Sequence, residues 1–147
     1  MNKVVFLDTG PLGLLSHPRL NQEAAAWMMD LTDRGAQVVV PEIADYEVRR
    51  ELLRAKKFAG IQRLDQWKKD AFYVPLTTAA MLKAAELWAL ARMQGQPTAD
   101  RHALDGDVIL AAQALTFDAN GRRVIVATDN VSHLSRFVSA EPWQTIS

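Results

Sequence analysis

The sequence predicts an α/β protein in which a mainly parallel sheet of four to five strands is covered by helices on both faces. Short apolar segments without polar alternation recur along the chain, and such segments are typical of strands buried on both faces of a sheet. Between them lie longer segments with apolar residues at helical spacing. Alternation of strands and helices is the pattern of a parallel sheet with helical crossovers.

The predicted strands are short and are bounded by turn residues or polar side chains. The first ends at Asp8 and is followed by Thr9-Gly10-Pro11, which we interpret as a turn. A last apolar segment near the C-terminus would add an edge strand. The predicted strands span residues 4–8, 38–40, 72–74, 124–127 and, at the edge, 143–146.

The predicted helices are defined by apolar periodicity and by residues that begin or end helices. Gly35 is placed to end the first helix, Thr77 or Thr78 to cap the fourth, and Asp105 to cap the fifth. The helices span about residues 21–34, 43–57, 61–69, 78–93 and 104–118.

Length and composition indicate one globular domain over residues 1–147. The chain is 49% hydrophobic and 23% charged and has no internal repeat or low-complexity segment, which excludes disordered, collagen-like and coiled-coil proteins. It contains no Cys, so disulfides, thiolate metal sites and Cys nucleophiles are excluded. The N-terminal residues lack a secretory pattern, and no uncharged run is long enough to cross a membrane. We therefore expect a cytoplasmic protein without membrane contact.

Four acidic residues lie where an α/β sheet binds its ligands. Asp8 and Asp129 close the first and fourth strands, Glu47 lies one turn into the helix after the second, and Asp107 lies in the first turn of the helix before the fourth. Ligands of open α/β sheets bind outside the carboxyl ends of the strands. Clustered carboxylates repel one another, so they stay ionised only around a cation. An oxygen-only set suits Mg²⁺ or Mn²⁺, as in metal-dependent phosphodiester hydrolysis.

Each of these acids also has a purely structural interpretation. Asp8 could be a turn or cap residue, Asp107 and the neighbouring Asp105 could favour a helix N-terminus, and Glu47 could pair with Arg50. The functional interpretation therefore depends on the combination. No paired His, phosphate-binding glycine loop or serine elbow offers another kind of site.

Four segments, taken in order, resemble the successive motifs of PIN domains, most closely the small VapC-type toxins. The resemblance covers nearly the whole chain, and its specificity lies in the order of motifs that are individually weak. The segments are Val-Phe-Leu-Asp-Thr-Gly-Pro-Leu at 5–12, Val-Pro-Glu-Ile at 40–43 leading to Glu47, Asp-Val-Ile-Leu-Ala-Ala-Gln-Ala at 107–114, and Val-Ala-Thr-Asp-Asn at 126–130.

This resemblance implies a three-layer α/β/α sandwich and a Mg²⁺- or Mn²⁺-dependent endoribonuclease, often dimeric and often inhibited by a small antitoxin protein. The three acids of the family fall on Asp8, Glu47 and Asp107. The fourth acidic position is shared between Asp129 and Asn130, because the family commonly places it where Asn130 stands. The supporting residues are Thr9, Asp105 and Thr128.

The formal net charge of zero conceals a basic segment. Residues 49–69 contain eight basic and two acidic residues, a local net charge of +6 that the rest of the chain cancels. Such residues usually form a solvated helix face. In the functional interpretation, Arg49, Arg50 and Arg54 follow Glu47 on one helix and contact the phosphates of an RNA substrate.

Two rival functions remain open at this point. An aspartyl phosphatase would need a second acid two residues after Asp8, where the chain has Gly10. A catalytically silent PIN-like module that binds RNA or a protein would have no need of three mutually repelling acids. Apolar helix faces could bind an antitoxin or a second copy of the chain, or could be ordinary core.

Overall fold

A computed structural model describes residues 2–95 and 101–147, without the side chains of residues 101 and 102. Its sheet has five strands, all parallel, in the order β3-β2-β1-β4-β5. This confirms the predicted fold class. The strands are β1 (Val4–Leu7), β2 (Gln37–Pro41), β3 (Phe72–Val74), β4 (Val124–Thr128) and β5 (Ala140–Pro142).

The edge strand lies earlier than predicted. Residues 143–146 do not pair with the sheet: Trp143–Thr145 forms a short 3-10 helix directly after β5. The apolar signal at Trp143 and Ile146 instead reflects burial, since both side chains belong to the core and the Trp143 ring packs edge-on against Trp27, with 5.3 Å between ring centroids. Burial and strand pairing give the same apolar pattern in so short a segment.

The described helices surround this sheet. Residues 9–11, predicted as a turn, open the first helix, because Asp8 caps it and Pro11, which has no N–H to lose, fits a first turn. The helices are α1 (Thr9–Leu15), α2 (Gln22–Asp33), α3 (Glu42–Arg54), α4 (Phe58–Asp70), α5 (Thr78–Met93), α6 (Arg101–Thr116) and α7 (Val131–Leu134).

Helix α6 begins three residues before its predicted start, at Arg101 rather than at position 104. Asp105 is therefore not its N-cap, and Asp107 lies in the second turn rather than the first. The cap signal was misleading because an acid followed by an apolar stretch looks the same at a helix start and one turn inside it.

The two faces of the sheet bury different helices. Alternate residues of β1 point to opposite sides, so Val5 and Leu7 pack with α1, α2, α3 and α4, whereas Val4 and Phe6 pack with α6 and α7. Helix α5 packs on α6 through small and apolar side chains. The result is the predicted α/β/α sandwich. No helix in the described ranges is long and apolar enough to span a membrane.

The strand order defines where a ligand site is expected. From β1 the chain winds outward through β2 and β3, then returns to the other side of β1 as β4. The crevice outside the carboxyl ends of β1 and β4 is thus the switch point of the sheet, where α/β proteins bind ligands. Asp8 and Asp129 directly follow these two strands.

Candidate active site

Asp8 is held at the end of β1 by hydrogen bonds to both of its carboxylate oxygens. Its Oδ1 accepts from the backbone N–H of Thr9 at 2.7 Å, and its Oδ2 accepts from the hydroxyl of Thr128 at 2.7 Å. Thr128 is fully buried, and its Oγ1 accepts in turn from the N–H of Asn130 at 2.8 Å. The Thr9 hydroxyl lies 3.3 Å from Asp8 Oδ1. Two strand ends therefore cooperate to orient one carboxylate.

Asp129 enters the same crevice through space left by a glycine. A Cβ placed on Gly10, in the first turn of α1, would overlap the Oδ2 atom of Asp129. Any larger residue at position 10 would displace this carboxylate. Asp129 and Asn130 are both exposed, and the Asn130 side chain does not cap α7. The Asp129 carboxylate therefore lies against the first turn of α1.

Glu47 reaches the crevice from α3 through space left by a second glycine. A Cβ on Gly106 of α6 would lie 2.8 Å from Glu47 Oε2. Burial, then repulsion from Asp8 and from Asp107, raises the pKa of Glu47, although the nearby Arg50 opposes this. Burial and repulsion from the neighbouring acids thus outweigh the attraction of Arg50, which lies 3.8 Å from the Glu47 carboxylate.

The seat of Glu47 depends on a buried glutamine at the α3–α6 contact. The Oε1 atom of Gln113 accepts from the N–H of Ile43 at 3.2 Å, and its Nε2 donates to the carbonyl of Val74 at 3.0 Å. Ile43 is one helical turn before Glu47, and Gln113 is two turns after Gly106. Gln113 therefore fixes the start of α3 against α6. This position brings the Glu47 carboxylate against Gly106.

Asp107 projects from α6 toward the same end of the sheet. Burial, then repulsion from Asp8, raises the pKa of Asp107 to about 6, while His133 and Arg136 act in the opposite direction. His133 Nδ1 lies 3.6 Å from Asp107 Oδ2. A carboxyl group with this pKa is only partly paired, so the site carries unfavourable charge near neutral pH.

Asp8, Glu47 and Asp107 are close enough for Asp8 to raise the pKa of the other two. Within residues 2–95 and 101–147, no group of three or more acidic or histidine side chains is close enough together to hold a metal ion. The donors are all oxygens, and a divalent cation would offset their repulsion. They fit such an ion in type and charge, whereas their present spacing exceeds a coordination shell.

Arg49, one of the predicted phosphate contacts, is engaged within the protein. Its guanidinium donates to Asp45 at 2.9 Å and to Asp65 at 2.7 Å, and Lys68 lies 3.6 Å from Asp45. Asp45 is buried. This network joins α3 to α4. It engages the Arg49 guanidinium, which the basic segment suggested as a phosphate contact.

The other two arginines differ in their distance from the acids. Arg54 is bound to Glu51, at 2.9 Å, on the same helix. Arg50 lies 3.8 Å from Glu47 and 5.1 Å from the centre of the Tyr46 ring. Arg50 is thus the predicted phosphate contact that pairs with an acid of the crevice, and Arg54 lines a cleft that also includes Glu47.

Four residues at the site were missed by sequence reasoning: Gly10, Gly106, Gln113 and His133. A usable signal existed for Gly106, because a glycine inside a helix costs about 1 kcal/mol and usually has a packing reason. Gln113 interrupts an otherwise apolar helix segment, which also marks a buried polar contact. His133 carried no signal, since its partner Asp107 lies on another element.

The fold of this chain is shared with chains of solved VapBC and FitAB complexes. A chain of VapBC2 from Rickettsia felis, solved bound to a DNA fragment from its promoter, matches with a TM-score of 0.73 and 15% identity over 95% of this chain and 98% of that chain. FitAcB from Neisseria gonorrhoeae matches with a TM-score of 0.69 and 22% identity over 97% and 99% of the two chains. VapBC-1 from nontypeable Haemophilus influenzae gives 0.68 and 14% over 97% and 99%. No family model and no curated protein sequence matches this chain.

Proposed function

We propose that this chain is a divalent-metal-dependent endoribonuclease that acts as the toxin of a toxin–antitoxin pair. The observation that carries the proposal is the meeting of Asp8, Glu47 and Asp107 at the switch point of the sheet, where each of the latter two has its pKa raised by Asp8. Isolated structural acids have no reason to be placed in mutual repulsion. The fold shared with chains of VapBC and FitAB complexes supports the same activity.

In this proposal Asp8, Glu47 and Asp107 hold one Mg²⁺ or Mn²⁺, with Asp129 or Asn130 beside it. A bound ion would supply a water of lowered pKa and would offset charge on the phosphate. The protein supplies orientation: Thr128 and the Thr9 N–H point the Asp8 carboxylate into the crevice. Asp129 or Asn130, both exposed, would position the attacking water or a second ion. Arg50 lies close enough to Glu47 to bind the phosphate that is cut.

The proposed partners are a small antitoxin and a second copy of the chain. The solved structures that share this fold are VapBC and FitAB complexes. Helix α5 exposes several large apolar side chains that a partner would cover, among them Leu82 and Met93, which are 65% and 74% exposed. These surfaces support an association without defining its geometry.

A catalytically silent module that binds RNA or a protein is the second candidate. It is favoured by one observation: within the described residues, the acids are not drawn together closely enough to hold a metal ion. A nuclease should cleave RNA when a divalent metal ion is present, whereas a silent module should bind RNA without cleaving it in any metal.

The test is cleavage of single-stranded and hairpin RNA with Mg²⁺, with Mn²⁺ and with EDTA. We expect metal-dependent products from the wild-type protein and none from Asp8→Asn, which should remain folded. Glu23→Gln is the matched control, since it removes one exposed carboxylate from α2. RNA binding without products in any metal would favour the silent module, and equal cleavage by Asp8→Asn in Mn²⁺ would refute the proposed ligands.

The toxin assignment has its own test. Expression in a bacterial host should arrest growth, and co-expression of the adjacent small open reading frame should relieve the arrest. Growth that is unaffected by a protein that cuts RNA in vitro would separate the nuclease from the toxin role.

A further inference from the structure

A cleft of about 400 Å³ opens beside Glu47, between α3 and α6. Clefts of this size bind small molecules and single residues or bases. Glu47 is one of its lining residues, so anything bound in the cleft would lie next to the proposed cleavage centre. Its other lining side chains that matter here are Ile43, Tyr46 and Arg50 on α3, and Asp105 and Ile109 on α6.

One wall of the cleft is an aromatic ring paired with a cation. The Tyr46 side chain is 55% exposed although it is large and apolar. The Arg50 guanidinium lies 5.1 Å from its ring centre. Rings and guanidinium planes are the surfaces on which proteins stack unpaired bases. The apolar side chains of Ile43 and Ile109 line the space between this wall and α6.

The opposite wall carries an acceptor of hydrogen bonds. Asp105 is exposed on α6 and, among the residues the structure describes, is in no ion pair or hydrogen bond. An ionised carboxylate only accepts, and it accepts best from two neighbouring N–H groups. A ligand for this cleft should therefore have a flat face for Tyr46 and Arg50 and paired donors on one edge.

We propose that this cleft is a base-binding subsite that receives an unpaired guanine next to the phosphate that is cut. Guanine is the one standard RNA base whose Watson–Crick edge places two N–H donors, N1–H and the N2 amino group, side by side. Adenine and cytosine offer one amino group there, and uracil offers one imino group. This proposal rests on the proposed nuclease function, because the phosphate beside the bound guanine is the one that the nuclease would cut.

The first experiment measures base preference directly. Short single-stranded RNAs that differ in one base at a single position are incubated with the wild-type protein, Asp105→Asn, Tyr46→Ala and the control Glu23→Gln, and the products are mapped. We expect the wild type and the control to cut beside guanine about tenfold faster than beside the other bases, since a bidentate contact discriminates by this order. Asp105→Asn should lose most of this ratio, and Tyr46→Ala should slow cleavage beside every base.

The second experiment removes the metal and the reaction. Guanosine, adenosine, cytidine and uridine 5′-monophosphates are titrated in EDTA and followed by NMR, with shifts expected at residues of the cleft for the guanine nucleotide and weakened in Asp105→Asn. RNA cleavage without base preference, or a preference unchanged in Asp105→Asn, would overturn the subsite while leaving the nuclease intact. Guanine binding without RNA cleavage would keep the subsite and reject the nuclease. If Tyr46→Ala changes only the oligomeric state, the cleft is an interface between copies and the base proposal is wrong.

Discussion

Replacing Asp107 with Asn should stabilise the metal-free protein at neutral and alkaline pH. Burial and the neighbouring Asp8 raise the pKa of Asp107 from 3.8 to about 6. The folded protein therefore holds a carboxylate in a place that favours a neutral group. Asn keeps the shape of the side chain and removes its charge.

The magnitude follows from the linkage between proton binding and folding. A pKa of about 6 in the folded state against 3.8 in the unfolded state corresponds to a cost of about 3 kcal/mol once the group is ionised in both states. Asp107 is 18% exposed, and the variant loses the 3.6 Å contact with His133. Both effects reduce the gain, and we expect about 2 kcal/mol at pH 8.

The sign of the pH dependence is fixed by the direction of the shift. Because the folded pKa is raised, the wild-type protein suffers no penalty below pH 3.8, where the group is neutral in both states. The penalty develops between the two pKa values and is complete above about pH 6. The advantage of Asp107→Asn should therefore be small near pH 4 and grow to its full size by pH 8.

Urea unfolding in EDTA, at pH values from 4 to 8, measures this difference through the transition midpoint. Asp105→Asn is the matched control, because it removes an exposed carboxylate two residues away on the same helix and should change stability by less than about 0.5 kcal/mol. Adding Mg²⁺ should stabilise the wild type and not Asp107→Asn. A variant that is less stable than the wild type at pH 8, or an advantage that does not grow with pH, would refute the reasoning.

Three further predictions concern the supports of the site. Gly106→Ala should raise the free energy of unfolding by about 1 kcal/mol, because Ala favours the helix and the added Cβ contacts only the flexible end of the Glu47 side chain. The displaced Glu47 carboxylate should weaken metal binding in an Mn²⁺ titration. Thr128→Val should cost about 1–2 kcal/mol by thermal unfolding and lower metal affinity, since it removes the 2.7 Å bond to Asp8; Thr128→Ser should restore both. Arg49→Met should cost about 1–2 kcal/mol, yet cut RNA at the wild-type rate in gel assays, because its guanidinium joins α3 to α4.

The fold could be predicted because the central strands β1, β2 and β4 are buried on both faces, so each was visible as an apolar run. The short elements could not. Helix α1 has seven residues and begins with Thr-Gly-Pro, a turn sequence in isolation. It forms because Asp8 caps it and because Leu12 and Leu15 are buried against the sheet, and neither contact is visible before the sheet is assembled.

The acids could be predicted because parallel strands end at one edge and carry their following residues there. Their surroundings could not, because they depend on how helices distant in sequence meet. The contact of Glu47 with Gly106 requires α3 to cross α6, and Gln113 sets that crossing. Likewise, the sequence suggested that Arg49 is available to bind phosphate, but in the fold its guanidinium donates to Asp65 on α4.

The basic segment has a different meaning once its partners are known. Arg49 and Arg54 are each bound to carboxylates, so they add little to long-range attraction for RNA. Among the residues the structure describes, Lys56 and Lys57 at the end of α3 are in no ion pair, and Lys57 lines a cleft of about 310 Å³ that reaches Glu47 from the side of α1. Glu47 therefore lines both the cleft that contains Lys57 and the α3–α6 cleft.

In the proposed nuclease, this arrangement would place different parts of a nucleotide chain on the two sides of Glu47. Phosphates would follow the cleft that contains Lys57, and one base would enter between Tyr46 and Asp105. A protein with few unpaired Lys and Arg side chains makes few phosphate contacts. Its affinity for RNA should therefore depend only weakly on salt concentration. In the proposed nuclease, selectivity would therefore come from the base cleft and from the proposed metal-binding acids, because charge attraction does not distinguish one RNA from another.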